Sequence, residues 1–129
     1  MDFLPRDDLK KSIMMETIVL PNKLCVLFVP EETLRKGLVH DVRRIFFNKT
    51  LQAKCASHHG EKNITGRNIA SDTPVCTLFS TNGMKLDICS PLCGKVIEIN
   101  YRLEDLPNLL YCGYDGYIAV VRPDNLFLE

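Results

Sequence analysis

The sequence has no excess of charge, no long apolar run and no internal repeat. Sixteen Lys and Arg residues balance sixteen Asp and Glu residues. A chain without net charge lacks the global basic field of a dedicated nucleic-acid binder, so direct nucleic-acid binding is not expected. No apolar stretch approaches the ~20 residues that cross a bilayer, so no membrane partner is expected. The start, Met1-Asp2-Phe3-Leu4-Pro5-Arg6-Asp7-Asp8, is acidic and lacks the apolar core of a secretory leader. The expectation is a protein that is not secreted. Six cysteines in 129 residues fall short of the ~8–10% typical of disulfide scaffolds. Several sit in apolar runs, as in Leu24-Cys25-Val26 and Val75-Cys76-Thr77. They read as buried free thiols of a reducing compartment.

Motifs for chemistry are also missing. There is no Gly-x-Ser-x-Gly, no phosphate loop and no paired-carboxylate pattern. Cys93 precedes Gly94 in a turn, but a nucleophile needs a base within hydrogen-bond reach, and the sequence supplies none beside it. His58 and His59 are adjacent. In extended chain they point to opposite sides, which is poor geometry for joining His40 on one ion. No catalytic residue, metal ligand or enzymatic activity is therefore assigned.

What is present is a pattern of short strands. The length suits one domain, with enough chain to bury a core without disulfide or metal staples. Residues 1–16 are weakly patterned and read as a flexible arm or short helix opened by Asp7-Asp8. Residues 17–129 read as a single β domain. Thr17-Ile18-Val19-Leu20 and Lys23 to Val29 flank Pro21-Asn22 and predict a hairpin. Val39 to Phe47 reads as a strand, and Ala53 to Ala56 as a further short one. On such a strand Arg43 and Arg44 alternate faces and make no single patch. Val75 to Ser80 and Met84 to Cys89 flank Asn82-Gly83, which predicts a two-residue hairpin turn. Lys95 to Asn100 and Tyr117 to Val121 are β-rich, and Leu103 to Leu110 predicts one or two helical turns. Many short strands with frequent turn signals make an all-β sandwich or small barrel.

The run Ser90-Pro91-Leu92-Cys93-Gly94-Lys95-Val96-Ile97-Glu98-Ile99-Asn100 is followed by Leu103-Glu104-Asp105-Leu106-Pro107 and by Gly116-Tyr117-Ile118-Ala119-Val120-Val121-Arg122-Pro123. In order and spacing this resembles the C-terminal half of the glycine cleavage H proteins. The resemblance implies a barrel-sandwich hybrid, the hammerhead fold of lipoyl and biotinyl carriers. Carriers of that family place a lysine at a hairpin tip, seven residues before the small residue of the Ser-Pro turn. Here that position is Gly83, which has no amine to acylate. Lys85 is the nearest lysine, two residues further along, or ~6.6 Å on a strand.

Over more of the chain, from about Met15 to Pro123, the sequence is similar to the Abitram family, also called simiate or the actin-binding transcription modulator. Leu24-Cys25-Val26, Pro74-Val75-Cys76, Ser80-Thr81-Asn82-Gly83, Cys93-Gly94-Lys95 and Gly116-Tyr117-Ile118-Ala119-Val120-Val121 carry that similarity. It implies a non-catalytic interaction module of nucleus and cytoplasm that binds actin filaments, influences transcription and needs no cofactor. The alternative is a lipoyl or biotinyl carrier of glycine cleavage H type that uses the displaced Lys85.

Overall fold

The computed structural model describes residues 10–35, 42–49, 51, 68–81 and 83–124. Among these residues nine strands form two sheets, as the all-β barrel-sandwich expectation requires. The four-stranded sheet has the order β1 (Lys10–Met14), β7 (Lys85–Cys89), β6 (Pro74–Ser80), β4 (Val42–Phe47). The five-stranded sheet has the order β2 (Glu16–Val19), β3 (Cys25–Phe28), β9 (Ala119–Pro123), β8 (Gly94–Ile99), β5 (Asn68–Ile69). All neighbours are antiparallel except β1 and β7, which run parallel. The chain crosses from one sheet to the other at Met15. This residue is buried, and its amide donates to the Cys89 carbonyl at 3.0 Å.

Alternation builds the core. On β3, Cys25 and Leu27 point inward while Val26 and Phe28 are half-exposed. The inner faces meet through Leu27, Val96 and Val121 on one sheet and Ile45, Leu78 and Leu86 on the other, all buried. Burying each such side chain contributes about 1.5–3 kcal/mol relative to leaving it in water. Gly94 opens β8 where a Cβ would sit 2.3 Å from the Arg122 carbonyl oxygen, so the β8–β9 pairing admits no side chain there.

Between β8 and β9 the chain makes a helical cap. It comprises α2 (Arg102–Asp105) and two 3₁₀ turns, Pro107–Tyr111 and Gly113–Gly116, after the earlier helix α1 (Glu31–Arg35). Leu103 and Leu110 bury themselves in the end of the core. Asn100 pins the cap. Its buried side-chain amide donates to the carbonyls of Asp115 and Tyr117, both at 3.0 Å, and its Oδ1 accepts from Arg102 Nε at 3.2 Å. Glu104 accepts from the Phe47 amide at 3.1 Å, tying α2 to β4.

At the N-terminal end the structure departs from expectation. Residues 10–16, read as part of an arm or short helix, form β1 and the start of β2. The backbone of β7 otherwise presents an unpaired row of donors and acceptors, and β1 satisfies it in register from Lys10↔Lys85 to Met14↔Cys89. Arg43 and Arg44 are both exposed, at a bulge between Val42 and Arg44. The short strand Asn68–Ile69 pairs with Gly94 and Lys95 of β8, where the sequence pattern predicts no strand. Residues 1–9, Val39–His40 and Ala53–Ala56 lie outside the described residues.

Candidate functional site

The site singled out by sequence is the β6–β7 apex. Ser80 N donates to Met84 O at 3.0 Å, and Gly83 N donates to Ser80 O at 3.1 Å. The loop therefore holds three residues, 81–83, and not the two-residue turn expected from Asn82-Gly83. A three-residue hairpin loop needs one left-handed residue at its third position. Gly83 supplies it with φ +88°. Nothing lies within 4 Å of where a Gly83 Cβ would stand, so the apex is open and bears no side chain at that position. Asn82 itself lies outside the described residues.

Lys85 is not at the apex. It sits on β7 opposite Phe79 of β6 and Lys10 of β1, exposed, with its Nζ 5.5 Å from the Phe79 ring centroid. Phe79 meets Phe46 of β4 edge to face at 5.5 Å, and Arg44 lies over the Phe46 ring at 5.6 Å. A row Arg44–Phe46–Phe79–Lys85 thus crosses the outer face of the four-stranded sheet. Beside it, Thr77 Oγ1 donates to Asp87 Oδ1 at 2.9 Å.

A second feature escaped the sequence reading. A half-open cleft of about 550 Å³ lies between β2, β3, α1 and the 3₁₀ turns. Its lining includes Glu16, Ile18, Phe28, Glu31, Tyr111 and Tyr114. Phe28 and Tyr114 pack edge to face at 5.8 Å. Its residues run from position 16 to 116, so no local motif signals it. Among the described residues its lining holds no cysteine, serine or histidine.

The cysteines give no reactive constellation among the described residues. Cys25, Cys76 and Cys89 are buried, and burial pushes each thiol above its ordinary pKa, most strongly at Cys76. Cys93 and Cys112 are exposed free thiols. The expectation of buried thiols therefore fails at these two; the Cys93 carbonyl accepts from Asp124 N at 3.0 Å. His40, His58 and His59 lie outside the described residues. Among those described, no group of three or more His, Cys, Asp or Glu side chains is arranged to hold a metal ion. The Tyr117 phenol is perturbed. Burial, then its hydrogen bond to Glu98 and that carboxylate's charge, push it up to about 12.

No family model matches the chain. It is 34% identical over 62 residues to a probable glycine cleavage system H protein of Thermococcus kodakarensis, covering 47% of this chain and 46% of that protein. A protein of the same description from Thermococcus gammatolerans matches to the same extent. Protein Abitram of Dictyostelium discoideum is 32% identical over 66 residues, covering 50% of this chain and 38% of Abitram. The matches thus span less than half the length of these curated relatives. The crystal structure of a glycine cleavage system H protein from Mycobacterium marinum superposes with a TM-score of 0.58 at 15% identity, over 80% of this chain and 68% of that one. By sequence the chain is similar to Abitram and to the glycine cleavage H proteins, and by structure it is a barrel-sandwich hybrid of the H-protein kind.

Proposed function

We propose that this chain is a non-catalytic protein-interaction module of Abitram type, binding actin filaments and modulating transcription in nucleus and cytoplasm, and that it carries no lipoyl or biotinyl group. One observation carries the reading. The apex where an acylated lysine would stand is Gly83, in a left-handed conformation that suits glycine. A swinging arm needs an amine that projects from the turn. Lys85 belongs instead to a strand hydrogen-bonded on both sides, with its ammonium over an aromatic ring.

The similarity to archaeal H proteins favours a second reading, a carrier acylated on Lys85. It would require a ligase to lift Lys85 from Phe79 and to accept a strand in place of a turn. Actin binding is tested by co-sedimentation with filaments at increasing salt. Pelleting that weakens as salt rises is expected, because exposed charges are screened within ~10 Å at 0.1 M. Absence of pelleting at low ionic strength removes actin from the proposal.

A further inference from the structure

The row on the outer face of the four-stranded sheet has a role that the apex does not explain. We infer that Arg44, Phe46, Phe79 and Lys85 form a docking platform for an acidic polypeptide segment of a partner protein. Four observations converge on it. Phe46 is 47% exposed, unusual for a phenylalanine in the middle of a strand. It is edge to face with Phe79, so the two rings make one continuous apolar strip across β4 and β6. Each ring carries a cation over it, Arg44 on one and Lys85 on the other. Arg43, next to Arg44 in the chain at the bulge, is a third exposed cation.

The free edge of β4 is partly taken by the cap, because the Val42 amide donates to the Tyr111 hydroxyl and the Phe47 amide to Glu104. The segment therefore lies across the face of the sheet, over Arg44, Phe46, Phe79 and Lys85, and not along the edge as an added strand. Apolar side chains of that segment would rest on the two rings, and its carboxylates would face the guanidinium and ammonium groups.

Charge favours this occupant over a nucleic acid. A single strand binds by stacking bases on free aromatic faces within a basic groove. Here each ring has a cation on a face, and the edge-to-face contact takes another. The chain as a whole also has no net positive charge. The inference does not rest on the actin reading, because it names the chemistry of the partner and not its identity.

The test is fluorescence anisotropy with a labelled twelve-residue peptide of alternating Glu and Val, against the same peptide with Lys in place of Glu and against single-stranded oligo-dT. The full chain should bind the Glu peptide at low salt and neither control comparably. The double variant Arg44→Glu, Lys85→Glu should lose roughly tenfold in affinity, two attractions having become repulsions at exposed sites. Phe46→Ser should weaken binding with charge unchanged. Arg122→Glu, an exposed reversal on the other sheet, should leave it unaltered, and circular dichroism checks that each variant folds. An equal loss with Arg122→Glu would reduce the effect to bulk charge. Tighter binding to oligo-dT, or no binding of the Glu peptide at low salt, would overturn the platform outright.

Discussion

Asn100 is the polar side chain on which the helical cap depends, and its removal has a calculable cost. It is 3% exposed and donates two hydrogen bonds of 3.0 Å, to the carbonyls of Asp115 and Tyr117. Asn100→Ala deletes both donors and leaves both acceptors in place. A buried carbonyl left without a partner costs about 1–3 kcal/mol. Asp115 is exposed and its carbonyl recovers part of that from water, whereas Tyr117 is half-buried. The sum comes to about 2–3 kcal/mol. For a domain of this size that corresponds to a fall in Tm of roughly 8–12 °C. Asn100→Asp keeps the shape but sets a carboxylate against two carbonyl oxygens. It should be at least as damaging at pH 7 and should recover as acid protonates the group. Urea denaturation followed by circular dichroism measures all three proteins, with Asn108→Ala, an exposed position, as the control within ~0.5 kcal/mol of wild type. If Asn100→Ala stays that close to wild type, the cap is not held by this side chain and the argument from its hydrogen bonds is refuted.

Further outcomes follow from the same geometry. Gly116→Ala places a Cβ 2.5 Å from the Leu109 carbonyl oxygen and should cost about 1–3 kcal/mol in denaturant melts, while Gly113→Ala meets open space and reports only the strain of its positive φ. Tyr117 should ionise with a midpoint of about 12 in an ultraviolet titration, a step absent from Tyr117→Phe. Its folded pKa lies above the unfolded value of about 10, so this contribution to stability is full below pH ~10 and is lost as pH rises towards 12. In a Cys55→Ser background, a thiol reagent should label Cys93 and Cys112 in the native state and reach Cys25, Cys76 and Cys89 only on unfolding. Fast labelling of all five would contradict the packing of the core.

The parts of the fold legible in the sequence were those written locally. Val75 to Ser80, Met84 to Cys89 and Lys95 to Asn100 alternate or carry β-branched residues, with Asn-Gly and Ser-Pro turns between them, and the structure has β6, β7 and β8 there. The parallel β1–β7 pair was not legible. Lys10–Met14 has too little alternation to announce a strand, and its partner lies some seventy-five residues away in the chain. At the apex, the requirement for glycine was readable but the loop length was not. A three-residue loop and a two-residue turn both end in a left-handed residue, and only the Ser80–Met84 bond distinguishes them. The exposure of both Arg43 and Arg44 comes from a bulge, an insertion in the ladder that periodicity cannot register. The cleft beside Tyr114 is assembled from five separate elements and had no sequence signature.

The central claim is that the hairpin bearing Gly83 offers no acceptor for a prosthetic arm. The most direct measurement is intact mass after co-expression with a lipoyl ligase and, separately, a biotin ligase. The account predicts the unmodified mass in both. An acyl increment that disappears in Lys85→Arg would contradict it.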